Sequence, residues 1–284
     1  MTDTIAAERN TVYRPGKYSV RLAIGSTVIA VFILVAVFGP YFYPFDPRST
    51  DILSRLKPPF SLLSDGRMAY LGTDDLGRDV LGQMIFGARV SLTIALGTVL
   101  GAGVIGCALG IVSGYFRGVF DAVVMRLADI QLSIPPIVLA IMAIGVLGPG
   151  IVQLTLTLAF TRWVMFARVA RSATLVAREQ TYVEAARVTG LRDWQIMLFH
   201  ILPSVMGPVM VVATLQLGLV ILAEASLSFL GLGTTPIQPT WGSIISQGRG
   251  LIDIAWWISV MPGLALALIV VAFAMVGDAL RGRS

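Results

Sequence analysis

Residues 90–116 read VSLTIALGTVLGAGVIGCALGIVSGYF, a stretch with no charged side chain. About 20 apolar residues of α-helix cross the hydrocarbon of a bilayer, so this stretch predicts a membrane helix rather than a helix of a water-soluble core. Four more charge-free stretches accompany it, at 22–45, 130–161, 200–223 and 254–277. The one at 130–161 is too long for a single helix, and Gly148-Pro149-Gly150 divides it into two spans, roughly 122–147 and 151–173. The expectation is an all-α integral membrane protein with six transmembrane helices.

Composition points the same way. Of the 284 residues 56% are apolar and 13% charged, with a mean hydropathy of +0.83. A soluble domain carries roughly 25% charged residues. So little charge cannot clothe a water-facing surface, and lipid is the expected partner. The net charge of +5 is almost all arginine, because Lys17 and Lys57 are the only lysines. Those arginines fall in the gaps between apolar runs, where membrane topology needs them; nucleic acid is not expected as a partner. Cys107 and His200 are each the only residue of their type, which excludes an internal disulfide, a cysteine-based zinc site and a multi-histidine metal centre. No metal or cofactor is expected in this chain. The first apolar run is far longer than the roughly 7–15 residue core of a cleavable signal, so it is expected to remain as an anchor.

Orientation follows from the loops. Segments 1–21, 114–129, 162–200 and 278–284 hold 14 of the 21 Lys and Arg residues. In segment 43–89 six basic residues are matched by six aspartates, and segment 231–257 holds one arginine. A positive-inside bias then places both termini in the cytoplasm. The implied organisation is a cytoplasmic segment 1–21 and a transmembrane domain 22–284. That domain carries an extracytoplasmic cap at 43–89, a cytoplasmic loop at 178–203 and an extracytoplasmic loop at 231–257. Pro44, Pro47, Pro58 and Pro59 make the cap irregular; Pro236, Pro239 and the Trp256-Trp257 pair suit a loop at the membrane interface. Glycines 97, 101, 106, 110 and 114 lie on one face of the second span, where they permit close helix approach, either within the chain or to another subunit.

The segment Glu179–Pro203, EQTYVEAARVTGLRDWQIMLFHILP, is polar enough to be wet, alanine-rich, and broken by Gly190. It predicts a short helix up to Val188, a turn at Gly190, and a second short helix leading to Leu202-Pro203. Pro203 is tolerated in the first turn of a helix, where N–H groups are spare. The product is a helical boss, small-sided at Ala185 and Ala186, that suits a groove on another protein.

This segment resembles the cytoplasmic EAA loop of permease subunits of bacterial ABC importers. The resemblance rests on Glu184-Ala185-Ala186, Gly190 and Leu202-Pro203, with His200 where the family usually has isoleucine. Leu71-Gly72-Thr73-Asp74-Asp75-Leu76-Gly77-Arg78-Asp79, Leu227-Ser228-Phe229-Leu230-Gly231-Leu232-Gly233, Trp241-Gly242 and Gly277-Asp278-Ala279-Leu280-Arg281 narrow it to the dipeptide, oligopeptide and nickel permeases, and their order to the C-type subunit. The resemblance implies a type I importer fold in the bacterial inner membrane and a B-type permease as the other half of the path. It further implies two ATPase subunits that bind ATP and Mg, and an extracytoplasmic solute-binding protein. Glu184, Ala185, Ala186, Gly190, Leu202 and Pro203 would form the ATPase-coupling loop. Short peptides are the expected cargo, with nickel chelates, glutathione or opine-like solutes as alternatives. The residues agree with such a division of labour: there is no G-x-x-x-x-G-K-[ST] loop, and the one Gly-Lys, Gly16-Lys17, is followed by Tyr18.

Two ionisable residues fall deep in apolar spans, Arg162 and Glu224, where charge is costly unless it meets a partner or lines a path. Both are candidates for the substrate path, and pairing with each other is the alternative. Asp129 is expected to pair with Arg126 on its own helix, and Arg168 and Arg171 to mark the cytoplasmic boundary. An ion-coupled secondary transporter is the rival function, but it needs a coupling-ion site and the chain offers one deep acid. No H-E-x-x-H or G-x-S-x-G supports an enzyme.

Overall fold

A computed structural model describes residues 15–235 and 237–281, with side chains from residue 20. Most of the 1–21 segment with Arg9 and Arg14, the loop residue Pro236, and the terminal residues 282–284 lie outside the described residues.

Helix α1 (Pro15–Phe42) stops just before Pro44, whose ring steers the preceding residue out of helical geometry. A cap follows, with one small antiparallel pair, β1 (Ser61–Leu62) and β2 (Met68–Ala69), Ser61 lying opposite Ala69. Helix α2 (Val80–Phe116) starts at Asp79, whose carboxylate accepts the Leu81 N–H at 3.1 Å. It ends where Arg117 and Gly118 take φ of 58° and 63° and turn the chain into α3 (Gly118–Leu132). The Ser133–Pro135 break sends α4 (Pro136–Leu147) off at 90° to α3. Helix α5 (Ile151–Ala177) follows, then α6 (Thr181–Val188) and α7 (Asp193–Ile196). A π-turn, Met197–Ile201, runs directly into α8 (Leu202–Phe229). Helix α9 (Trp241–Gly248) lies beside the cap, and α10 (Trp257–Arg281) completes the described chain.

Helices α2, α5 and α8 form the centre, with the most extensive contact between α2 and α5. Helix α10 packs against α8 and α1, and α9 is wedged between α8 and α10. The outer faces are apolar: Leu100 is 65% and Val104 70% exposed, as expected where lipid replaces water as the solvent.

The expectation of six spans is corrected. Four helices among the described residues are long and apolar enough to cross a membrane: Val20–Phe42, Val80–Phe116, Asp193–Phe229 and Trp257–Arg281. The bent pair α3 and α4 makes a fifth if it counts as one span. Helix α4 has 12 residues and at 1.5 Å per residue reaches only about 18 Å, short of a roughly 30 Å hydrocarbon layer. Helix α5 is long enough, but Gln153, four threonines, Arg162, Arg168 and Arg171 dilute its apolar character. Counting charge-free stretches treats each as a straight rod and cannot see the bend.

The glycine stripe of α2 has one answer: it packs inside the chain. A Cβ at Gly106 would lie 2.4 Å from the Trp163 carbonyl, at Gly110 2.3 Å from that of Ala167, and at Gly114 2.9 Å from that of Arg171, all on α5. Gly97 and Gly101 likewise approach Thr155 and Ala159.

Candidate functional site

The boss is built on one short amphipathic helix. In α6, Val183 and Ala186 are buried, while Tyr182, Glu184, Ala185 and Arg187 face outward. Ala185 and Ala186 therefore do not form one small-sided face; a helix turns them about 100° apart. Val183 and Ala186 join Ile196, Ile201 and Val205 in the main hydrophobic core, so the boss is an outgrowth of the bundle rather than a loose loop.

Gly190 ends α6 with φ +81°. Its N–H donates to the Arg187 carbonyl at 3.0 Å and the Leu191 N–H to that of Ala186 at 3.2 Å. These two bonds make a Schellman motif, whose left-handed residue is best supplied by glycine. A Cβ at Gly190 would meet nothing within 4 Å, so conformation rather than space selects the residue. Glu184 is exposed and has no partner among the described residues.

The second half of the boss is the short helix α7, which leads to Leu202-Pro203 through the π-turn. Helix α7, the π-turn and α8 form one continuous rod from Asp193 to Phe229. Leu202 and Pro203 occupy the first turn of α8, and the π-turn lies just before them. Proline lacks the N–H that would close an α-turn onto the fourth residue back, Phe199, and its ring crowds that carbonyl, so a wider turn relieves the clash. His200 lies within this turn, half-buried. Tyr182 and Ser204 share a hydroxyl hydrogen bond of 2.9 Å that ties α6 to the start of α8.

Tyr115, in the last turn of α2, collects the rest. Its hydroxyl donates to Asp193 at 2.6 Å, the Arg187 guanidinium lies 5.2 Å from its ring centre, and Arg178 donates to its carbonyl at 2.5 Å. Sequence reasoning missed this residue because its partners are far away along the chain.

The arginines of α5 are not merely boundary markers. Arg171 grips Asp121 with two bonds of 2.5 and 2.6 Å, and Arg168 reaches Asp129 at 2.6 Å. Asp129 thus pairs across to α5 and not with Arg126 on its own helix.

Arg162 and Glu224 do not meet. Glu224 is fully buried and accepts hydroxyls from Ser91 at 3.0 Å and Ser228 at 2.6 Å, a tie between α2 and α8. Its neighbours on α8 turn toward Arg162, which lines a recess between α4, α5 and α8.

At the opposite end of the bundle the stretch Leu71–Asp79 is a lock. Asp74, fully buried, accepts from Arg78 Nε at 2.7 Å, from Gln83 Nε2 at 2.8 Å, and from the Leu76 and Arg78 N–H groups at 2.9 and 2.8 Å. Arg78 in turn donates to Gln247 of α9 at 3.0 Å. The Trp257 indole of α10 donates to the Thr73 carbonyl at 3.1 Å. Gly77 (φ +73°) passes so close to Asp51 that a Cβ would lie 1.8 Å from its carbonyl oxygen. Among the described residues no group of three or more His, Cys, Asp and Glu could hold a metal.

Comparison with known proteins fits this geometry. Residues 106–283 match the family described as binding-protein-dependent transport system inner membrane component, and residues 21–59 match the N-terminal transmembrane domain of oligopeptide transport permease C. The chain is 36% identical over 258 residues to the dipeptide transport system permease protein DppC of Alkalihalophilus pseudofirmus, covering 91% of this chain and 83% of the relative. It is also 36% identical over 262 residues to the glutathione transport system permease protein GsiD of Pectobacterium atrosepticum, covering 92% and 85%. In fold it is similar to a chain of the inward-facing MetNI methionine ABC transporter, with a TM-score of 0.59 at 21% identity, over 71% of this chain and 96% of that one.

Proposed function

Because the chain belongs to the family of inner-membrane components of binding-protein-dependent transport systems, we propose that it is the C-type permease of an ATP-driven importer of short peptides. It forms one half of a path completed by a B-type permease. Two ATPase subunits sit on the cytoplasmic side, one of them holding the boss at residues 178–203 in its groove, and a binding protein delivers cargo at the cap. The relatives' names support peptides as cargo: one is a dipeptide permease, and glutathione, the cargo named for the other, is itself a small peptide.

One observation carries the coupling assignment. The outward face of α6, with Glu184 free, sits on a core shared with the bundle, and α7 is continuous with α8. A rigid-body push on this boss is therefore handed to a helix that runs the full height of the protein. A nucleotide-driven closure of the ATPases biases a two-state permease only through such a differential contact. Glu184 and Gly190 are the contact residues, with Ala185 beside them on the outward surface. Ala186 acts from beneath, and Leu202 and Pro203 from the first turn of α8.

The test is reconstitution of the full assembly in proteoliposomes with dialanine as cargo. Glu184→Lys and Gly190→Val should insert normally yet lose most uptake while ATP hydrolysis continues. Unchanged uptake in both variants would overturn the coupling assignment.

A further inference from the structure

We propose that the recess between α4, α5 and α8 is a carboxylate subsite on the cargo path, anchored by Arg162. The inference rests on the importer reading above and adds the group of the cargo that is held. The recess encloses about 300 Å³, at the lower end of the range for ligand pockets. Pro136, Leu158, Thr161, Arg162, Ala223 and Ser226 are among the residues that line it.

Three features point to an anion. First, the Arg162 guanidinium is uncompensated: its Nε is buried without an acceptor, and no ion pair among the described residues includes it. Helices α4 and α5 contain no Asp or Glu, and the one acid of α8, Glu224, is engaged by Ser91 and Ser228. A guanidinium halfway along a central helix, with no counter-charge of its own, is costly unless an anion visits it.

Second, the other polar groups of the recess are already engaged. The Thr161 hydroxyl donates to the Leu158 carbonyl and that of Ser226 to the Leu222 carbonyl, each at 2.8 Å. The free donors facing the recess therefore belong to the guanidinium, whose planar fork matches the two oxygens of a carboxylate.

Third, Arg162 is held in place from both sides. Gln131, at the end of α3, donates to the carbonyls of Phe160 and Thr161 at 2.9 and 3.3 Å and accepts from the Trp163 indole at 2.8 Å. This clamp fixes the backbone just before Arg162 and the Trp163 side chain just after it, beside the α3–α4 bend, so binding an anion there requires little reorganisation. Every linear peptide carries a C-terminal carboxylate whatever its side chains. A subsite for that group lets one path handle unlike peptides.

The experiment uses the full assembly in proteoliposomes. In a Cys107→Ala background, which should retain dialanine uptake, Ala223→Cys places the chain's one thiol in the recess. Its modification by a sulfonate-bearing methanethiosulfonate should be about ten-fold faster with Arg162 than with Arg162→Gln, because the cation concentrates the anionic reagent. An uncharged methanethiosulfonate should react equally with both, and millimolar dialanine should slow the anionic reagent more than dialanine amide does. Equal anionic rates with and without Arg162, or no reaction with either reagent, would overturn the subsite. Dialanine uptake should also fall about ten-fold in Arg162→Gln and recover partly in Arg162→Lys. If the unmodified assembly imports no dialanine, the peptide reading fails while the reagent rates still decide the subsite.

Discussion

Tyr115 and Asp193, 78 positions apart, meet through a 2.6 Å hydrogen bond that joins the last turn of α2 to the first turn of α7. The same tyrosine stacks beneath Arg187 of α6 and receives Arg178 from the end of α5 on its carbonyl. Under the coupling proposed above, load placed on the boss would enter the bundle at two points, through α7 into α8 and through Tyr115 into α2. Since the glycine stripe packs α2 tightly on α5, the second route would move them together.

Tyr115→Phe keeps the ring under Arg187 and removes the bond to Asp193. A hydrogen bond to a charged group contributes about 1.5–3 kcal/mol, enough to loosen the joint without unfolding the bundle. Cargo imported per ATP hydrolysed should fall several-fold while basal ATP hydrolysis and membrane insertion stay as in the parent. A parent-like ratio of uptake to hydrolysis would remove α2 from the transmission route.

The stripe itself can be tested by contrast. Gly110→Val drives a side chain into the Ala167 carbonyl, 2.3 Å from the ideal Cβ. Overpacking of this kind costs typically about 1–3 kcal/mol, and backbone on the other side cannot swing away. Gly145→Ala adds a methyl where nothing lies within 4 Å. Thermal unfolding of the purified protein in detergent should drop by several degrees for the first and stay nearly unchanged for the second. Equal midpoints would mean the stripe faces something other than α5.

Much of this was legible in the chain. Uninterrupted apolar runs mark α1, α2, α8 and α10 because helix length and hydrocarbon thickness are tied by geometry alone. Gly190 was readable as a turn because a left-handed residue follows from local chemistry. What eluded the sequence is non-local. Pro135-Pro136 announces a break but not a 90° bend, so the span expected at roughly 122–147 runs straight through the joint between α3 and α4. Asp129 chose Arg168 over its own neighbour Arg126 because α3 lies along α5. The Leu71–Asp79 stretch was recognisable by resemblance, yet its physical role, four donors converging on one buried Asp74, arises only in the folded chain. Likewise only the packing of α2, α5 and α8 separates Arg162 from Glu224.

Asp79 supplies a pH dependence. It caps α2 through the Leu81 N–H and accepts the Tyr43 hydroxyl, and burial holds its carboxyl above the ordinary range despite those two bonds. A group whose pKa is higher folded than unfolded binds its proton more tightly in the native state. Its contribution to stability is then full below the unfolded value, about 4, and is lost as pH rises through the elevated folded value. Asparagine at this position still caps a helix but does not titrate. The unfolding temperature of the parent relative to Asp79→Asn should therefore rise as pH is lowered from about 7 to about 4, the unfolded value. Other titrating groups are common to both proteins and cancel in the difference. A shift of the opposite sign would mean that the native cap prefers the ionised carboxylate, with the hydrogen bonds outweighing burial.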